Sequence, residues 1–564
     1  MIMFKAVTTL VTIFILFCLL PSRVLASEFS TNYRATYELL HSGETVVTHQ
    51  ISLKNNLSHI FPREYTLSVG NNDLVDVIAK DKKGNLLPNN TQTTGDQTNI
   101  TIKLLDPEIG QNQINEFTLR YLATNLATHT GDVWEINIPK IRHGSQMQTV
   151  ERTIIFPSIL GSPTASYPSP DHIETKNDKT FVVFSSSRQE AISLLFGESQ
   201  QYQLKLEYNL EPPLSKNAMT ELALPPDTAY QRVILDSITP EPDNITVDQD
   251  GNWLARYFYK ENFVSKVQAV LYIEVSPIPI YYDPSINHPN LLHSSKYWPL
   301  EESIIKQTAE QLKTPKNIYN FLVENFSYNT GRVAPGADRL GGAQALAKPA
   351  LAICTEFTDA FVSLARSLGI PAREINGYAI TTNTQLRPLS MATDILHSWP
   401  EYYDQDTQTW IQVDPTWGHT TAGINYFNKL DYNHITFVRH GKEPTYPYPA
   451  GVYKKSRDEK TLDISHTSIK KEYKSSYHIE LAKNNHYRIQ NTGNSALINH
   501  SITLPNGSIH TLAYLPPYGI TEVNQVLGEQ TSSFSWQVFS LAIITSTLIS
   551  FLVYRYLTKK RNTK

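Results

Sequence analysis

Cysteine is nearly absent from this sequence: Cys18 and Cys354 are the only two in 564 residues. Cys18 lies in an apolar run near the N-terminus, so a chain processed after that run keeps one thiol and no internal disulfide framework. A surplus of one charge is missing too. The 49 Lys+Arg and 53 Asp+Glu residues give a formal net charge of −4, without a long basic or acidic block, which argues against a nucleic-acid partner. No cluster of Cys, His and carboxylates has metal-ligand spacing; His434 and His440 form an isolated pair at best. The loop "GRVAPGADRLGG" lacks the lysine and the preceding strand that a phosphate loop needs, and reads as a mobile loop beside the site developed below. No cofactor is therefore expected. Fixed-period repeats and low-complexity tracts are also lacking.

Long apolar runs are restricted to the two ends. After Lys5 comes "AVTTLVTIFILFCLLP" and then "SRVLA", the pattern of a secretory signal over residues 1–26 with cleavage after Ala26. No small residue precedes Cys18 as a lipid-attachment box requires. From Trp536 to Leu557, "WQVFSLAIITSTLISFLVYRYL" is followed by the basic tail 558–564. Its length, about 20 residues, its aromatic borders and the trailing positive charge predict one spanning helix over 536–557 with a cytoplasmic C-terminus. A buried globular helix is the alternative, but the polar face it needs is missing. The expectation is a single-pass cell-membrane protein with its bulk extracytoplasmic.

A chain this long exceeds one hydrophobic core, and three or four domains are expected by a rough length rule. Short alternating runs such as "TVVTHQISLKN" and "NEFTLRYLA", broken by Asn, Gly, Pro and Asp clusters, fill residues 28–215. They predict antiparallel β-sandwich-like structure in one or two modules. Residues 216–296 predict a small β unit with a hairpin turn at "DQDGNW". From 297 to 442 the pattern changes to an α+β unit. Ile304, Ile305, Leu312, Ile318, Phe321, Leu322 and Phe326 recur at helical spacing, and Thr314-Pro315 divides them into two helices. Three strand-like runs, "REINGYAIT", "SWPEYYD" and "TWIQVDPT", come afterwards. A linker over 453–475 and a last β module over 476–530 complete the multidomain layout.

Within the α+β unit, Phe357, Phe361, Leu364, Ala365 and Leu368 form an apolar stripe that Gly369 and Pro371 terminate. Cys354 is thereby placed at the start of a core-facing helix, where unpaired N–H groups and the helix dipole favour a thiolate. Thr355 and Glu356 suit the first turn as cap and dipole partner. A lone cysteine is most often a small buried hydrophobe, a histidine is usually a surface or core residue, and an Asp before Pro is usually a turn. The conjunction is more specific. Thiol catalysis needs a base and a group that fixes the base's tautomer, and a hairpin turning at Asp406 and Thr407 brings His397 near the level of Asp414.

The segments "AICTEFTDAFVSLARSLGIPAR", "HSWPEYYDQDTQTWIQVDPTWG" and "GGAQALA" resemble the transglutaminase-like superfamily of papain-type cysteine enzymes, over roughly residues 300 to 440 (about a quarter of the chain). The resemblance implies a papain-like α+β core with Cys354 as nucleophile, His397 as general base and acid, and Asp414 as the orienting acid. Ala352 and Ile353 depart from the Gly or Asp that members often carry before the nucleophile. The implied substrate is a protein or peptide amide carbonyl, which forms a thioester that water hydrolyses or an amine captures. Gln344 is the papain-like guess for a second oxyanion donor. Trp399 and Trp417 either wall an acyl cleft or pack the hairpin, and Glu356 and Arg373 read as helix-cap and surface charges. The alternatives are a non-catalytic adhesion or scaffold protein with a triad-like cleft, and a thiol reserved for an intermolecular disulfide or redox contact.

Overall fold

The computed structural model describes residues 27–524 except 71–73, 95–96, 142–146, 186–189, 212–218, 259–263, 285–288, 334–336, 381–395, 422, 457–458 and 483–485. The expected leader 1–26, the expected spanning helix 536–557 and the basic tail lie outside the described residues. Among those described, no helix is long and apolar enough to cross a membrane. The chain divides into two compact units, one formed by 1–241 with 247–471 and the other by 242–246 with 472–564.

The larger unit begins with a β-sandwich. An eight-stranded sheet has Phe29–Leu39 near its centre, paired antiparallel to Thr45–Asn55 and parallel to Met147–Pro157. The burial pattern of Thr45–Asn55 alternates almost residue by residue, which is why period-two reading finds it: inward side chains join the core while outward ones meet solvent. One continuous core, including Val47, Ile100, Leu119, Phe156, Ile192 and Leu194, serves the whole sandwich.

The expected border at 215 falls elsewhere. Gln200–Asn209 pairs over its full length with Lys266–Val275, and its other edge takes Leu462–His466. This strand belongs to a separate four-stranded sheet with Gln231–Thr239, and the expected linker 453–475 contributes a strand to it. Alternation reveals a strand without revealing its partner. The "DQDGNW" turn is likewise more than a surface hairpin. Asn252 is buried and exchanges hydrogen bonds with the Arg439 backbone (2.7 and 2.8 Å), and the Asp250 carboxylate accepts from Gly441 N–H at 3.0 Å.

The α+β part contains helices α1 (Ser303–Leu312), α2 (Pro315–Asn325), α3 (Gly342–Ala347), α4 (Cys354–Ser367) and α5 (Pro415–Thr420). Its four strands are β1 (Ala372–Ala379), β2 (Leu396–Asp404), β3 (Thr409–Gln412) and β4 (His434–His440), in antiparallel order β3-β2-β1-β4. Thr314 caps α2, its hydroxyl accepting from Asn317 N–H at 3.2 Å, so the predicted break is a capped helix start. Helix α4 lies against the sheet and buries Phe357, Phe361, Val362 and Leu364 completely. Each such side chain stabilises by about 1.5–3 kcal/mol, enough to fix the helix that carries Cys354. Close packing around α4 also explains Gly342: a methyl there would meet Ser363 Oγ at 2.2 Å and the Asp359 carbonyl at 2.7 Å.

The smaller unit has a three-stranded sheet, Tyr477–Leu481, His486–Asn491 and Ile520–Asn524, and a hairpin of Leu497–Thr503 with Ile509–Leu515. Tyr487, Ile489, Leu497, Ile502, Leu504, Leu512 and Leu515 form its core.

Candidate active site

Cys354 is the first residue of α4 and is 1% exposed. Glu356, rather than Thr355, secures this helix start: its Oε2 accepts from the Ile353 N–H at 3.0 Å, and Oε1 accepts from Leu340 N–H at 3.0 Å. The first-turn N–H groups have no intrahelical acceptor, and together with the dipole they make the end of α4 favourable to negative charge. The loop before it is held at both flanks. Arg332 bonds the Leu351 carbonyl and pairs with Glu356 at 3.2 Å. Arg339 donates to Asp359 at 2.9 Å, to Glu374 at 2.9 Å and to the Pro444 carbonyl at 2.9 Å. The expected mobile loop is therefore anchored on either side of residues 334–336, which lie outside the described residues.

His397 enters from β2, opposite Gly377 on β1. A side chain at Gly377 would collide with the Ile435 carbonyl (2.2 Å) and the Trp399 ring (2.5 Å), so glycine lets the sheet close around the imidazole. The β2–β3 register pairs Asp404 with Thr409 and Glu401 with Gln412, centred between Asp406 and Thr407 as the sequence predicts. Asp414 does not end the strand; it is the N-cap of α5, where its Oδ1 accepts from Trp417 N–H at 3.0 Å. Its Oδ2 lies 2.9 Å from His397 Nε2. His397 Nδ1 is buried with no hydrogen-bond partner, and Cys354 is among the groups that act on the ring. Burial works against a charged imidazole here, but Asp414 and then Cys354 outweigh it and raise His397 to about 10. Burial works against the Asp414 carboxylate as well, yet His397 and then His434 hold it well below the usual carboxylate range.

The rest of the surroundings were only partly foreseeable. Trp399 and Trp417 are completely buried, and their rings stack on His397 at centroid distances of 5.7 and 5.2 Å. Core packing is their role, and it gives the imidazole a dry sleeve that strengthens its bond to Asp414. Gln344 is exposed on α3, and nothing in the structure directs it to Cys354. Arg373 is no surface charge: it is buried, donates from Nε to Glu401 and lies over the Trp410 ring at 3.9 Å. His434 and His440 are separated along β4. His440 bonds Glu374 and the Pro447 carbonyl, whereas His434 joins the site.

Two further groups stand beside the trio. Tyr328 forms a parallel bridge with Ala352, and its hydroxyl is buried with no hydrogen-bond partner. Burial, then the neighbouring Cys354 and Asp414, hold its pKa well above the ordinary phenol value. Nothing in "NFSYNTGR" signals this position. His434 donates to the same Asp414 Oδ2 at 3.2 Å, and its other ring nitrogen meets Asp431 Oδ1 at 2.7 Å. His397, Asp414 and His434 each present one ligand-type atom within 4.8 Å of the others. Their N···O separations are hydrogen-bond lengths, with both His Nε2 atoms and both Asp414 oxygens engaged, so the group reads as a relay. A cavity of about 760 Å³, an open concavity on the eight-stranded sheet, is lined by Arg34, Lys82, Glu116 and Glu151 among others and by none of these residues.

The family model described as the transglutaminase-like superfamily matches residues 299–415. Uncharacterized protein YebA of Bacillus subtilis (strain 168) is 33% identical over 112 residues, which are 19% of this chain and 15% of that protein. The chain thus spans only a small part of the curated relative it matches. Among solved structures, a candidate cysteine protease from Cytophaga hutchinsonii is 16% identical, covering 48% of this chain and 89% of its own, with a TM-score of 0.30. The periplasmic domain of TgpA from Pseudomonas aeruginosa is 16% identical, covering 39% and 91%, with a TM-score of 0.23. Residues 299–415 thus form a transglutaminase-like domain.

Proposed function

We propose that this protein is a membrane-anchored, extracytoplasmic cysteine enzyme that transfers acyl groups from protein or peptide amides. One observation carries the proposal: a buried imidazole, fixed at Nε2 by Asp414 at 2.9 Å, keeps Nδ1 unpaired beside the only thiol of the described residues. A base with a fixed tautomer beside a nucleophile at a helix start is the arrangement covalent acyl transfer needs. The Cys354 thiolate attacks the carbonyl carbon, a C–S bond forms, and the His397 imidazolium gives its proton to the departing nitrogen as the C–N bond breaks. Water or an amine then attacks the thioester carbon, His397 takes a proton from the incoming group, and the C–S bond breaks to return the Cys354 thiolate and release the acid or the new amide. Extracytoplasmic anchoring is supported by the apolar runs at the two ends. The burial of Cys354 speaks against a thiol reserved for an intermolecular disulfide.

The oxyanion requires donors aimed where charge develops. Within this reading, the Cys354 N–H is one and Tyr328 Oη is the other, since its unused O–H lies beside the nucleophile and stays protonated. Tyr328→Phe should lower kcat by about 10²-fold with little change in KM, the signature of a contact made in the transition state. An equal rise in KM with kcat intact would instead assign Tyr328 to substrate binding.

The reaction class is tested by incubating the full chain with a peptide containing glutamine and internal amide bonds. Ammonia or a new α-amine should appear, and thiol alkylation should stop its release. An added primary amine incorporated into the peptide identifies transfer; product unchanged by the amine identifies hydrolysis. Peptide binding without turnover, or turnover that survives complete alkylation of Cys354, would favour the adhesion or scaffold reading.

A further inference from the structure

The second histidine at Asp414 has no assigned role in a three-residue mechanism. Its setting is unusual because both ring nitrogens face carboxylate oxygens. Nδ1 is 2.7 Å from Asp431 Oδ1, and Nε2 is 3.2 Å from Asp414 Oδ2. A neutral imidazole has one N–H and one lone pair, so it can satisfy only one of two ionised carboxylates; an imidazolium satisfies both. The side chain is fully buried, and the groups facing its ring are Asp431, Asp414, His397, Trp399, Trp417 and Tyr426. Burial opposes the charge, but Asp431 and then Asp414 hold His434 above the ordinary imidazole value.

Local chain geometry makes this contact specific. Asp431 Oδ1 also accepts from Asn433 N–H at 2.8 Å, a side-chain turn that sets the carboxylate under the first residue of β4. Asp414 N–H in turn bonds the Tyr426 carbonyl at 3.0 Å. The segment leaving α5 therefore returns to clamp both carboxylates around one ring.

We propose that His434 is a positioning residue of the catalytic unit: a buried imidazolium, held by Asp431, that shares Asp414 Oδ2 with His397 and limits how strongly that carboxylate holds the His397 proton. This inference rests on the reading of Cys354 and His397 as a thiol–imidazole pair. A carboxylate serving His397 alone would attract its proton more strongly and delay transfer to the leaving nitrogen. Sharing it with a second cation, whose ring centre is 5.8 Å from that of His397, moderates the attraction. Asp431 acts one step further out by keeping the second proton on His434.

The test is the pH dependence of Cys354 alkylation by iodoacetamide in the full chain, measured for wild type, His434→Gln and Asp431→Asn. Gln keeps an N–H for Asp414 but carries no charge. The alkaline edge of the profile, set by loss of the His397 proton, should rise by about one pH unit in His434→Gln. It should rise by less in Asp431→Asn, and peptide turnover near neutral pH should fall by about tenfold, the equivalent of one pKa unit. Folded variants whose edges stay in place, or move down, would overturn the proposal and leave His434 a packing residue. A readout independent of the variants is ¹⁵N NMR of ring-labelled histidine in the wild-type chain. His434 should show two protonated ring nitrogens at pH 8; one deprotonated nitrogen would overturn the proposal even if the variants fail to fold. If wild-type Cys354 alkylates no faster than a free thiol, the proposed reaction fails, while this signature still decides the charge of His434.

Discussion

Cys354→Ala should abolish turnover, by about 10⁴-fold or more, with the fold retained. The two sides of this expectation come from different features. In the proposed reaction activity depends on sulfur, and no other described residue offers a thiol. A serine hydroxyl at the same place would meet the same imidazole with a far higher pKa, so Cys354→Ser should be nearly as inactive. Stability depends on α4, which is held by its fully buried aromatic and aliphatic face and by Glu356 at its start; none of these contacts uses the sulfur. Removing one sulfur atom leaves a small cavity, with an expected cost of about 1 kcal/mol. Comparing turnover with the thermal midpoint separates the two effects. A Cys354→Ala chain that keeps a tenth of wild-type activity would place the chemistry elsewhere.

Asp414→Asn should be the next most damaging change, with kcat lower by roughly 10³–10⁴-fold, the scale seen when a triad acid becomes an amide. Asparagine can still cap α5, because its carbonyl oxygen can accept from Trp417 N–H as Oδ1 does at 3.0 Å. Toward His397, however, it presents an N–H₂ group. The ring must then accept at Nε2 and carry its proton on Nδ1, which faces the thiol and can no longer receive its proton. The pH response follows in sign. Asp414 raises His397 to about 10, so imidazolium persists through neutral pH in the wild type; without the carboxylate, burial pulls it down, and the alkaline edge of the rate profile should move to lower pH. Stability carries the same coupling. The contribution of His397 is present below its unfolded pKa of ~6.5 and lost as pH rises through about 10. That of Asp414 is present above its unfolded pKa near 3.9 and lost as pH falls further. A wild-type-like rate in Asp414→Asn would exclude the tautomer argument.

The parts of this site that local rules govern were legible in the sequence. The stripe from Phe357 to Leu368 and its Gly369-Pro371 stop predict α4, and the two-residue centre at Asp406-Thr407 fixes the hairpin register. Long-range placement was not legible. Alternation in "QYQLKLEYN" is the same whichever sheet takes the strand, so the partnership with Leu462–His466 could not be read. Arg373 carries a charge that composition assigns to the surface, while the fold gives it Glu401 and the Trp410 face. The Asp-x-x-His spacing of Asp431 and His434 marks a turn, yet only the returning chain shows that its histidine meets Asp414. Tyr328 lies 26 positions before the nucleophile and has no periodicity to reveal it.

The turn that supplies Asp431 and His434 is also gripped by the sandwich and by the Gln200–Asn209 strand of the neighbouring sheet. Tyr432 donates its hydroxyl to the Gly197 carbonyl at 2.6 Å, its carbonyl accepts from Tyr202 at 3.1 Å, and Glu135 receives the Tyr432 N–H at 3.4 Å and the Asn433 side-chain amide at 3.3 Å. The recognisable stretch that ends at residue 415 is consequently not a portable cassette. Excised alone, it would keep Cys354, His397 and Asp414 but lose the His434 contact that braces Asp414. Turn, sheet and site are thus one structural unit, so an insertion or deletion near Gly197 should disturb the His434–Asp414 contact without touching either residue.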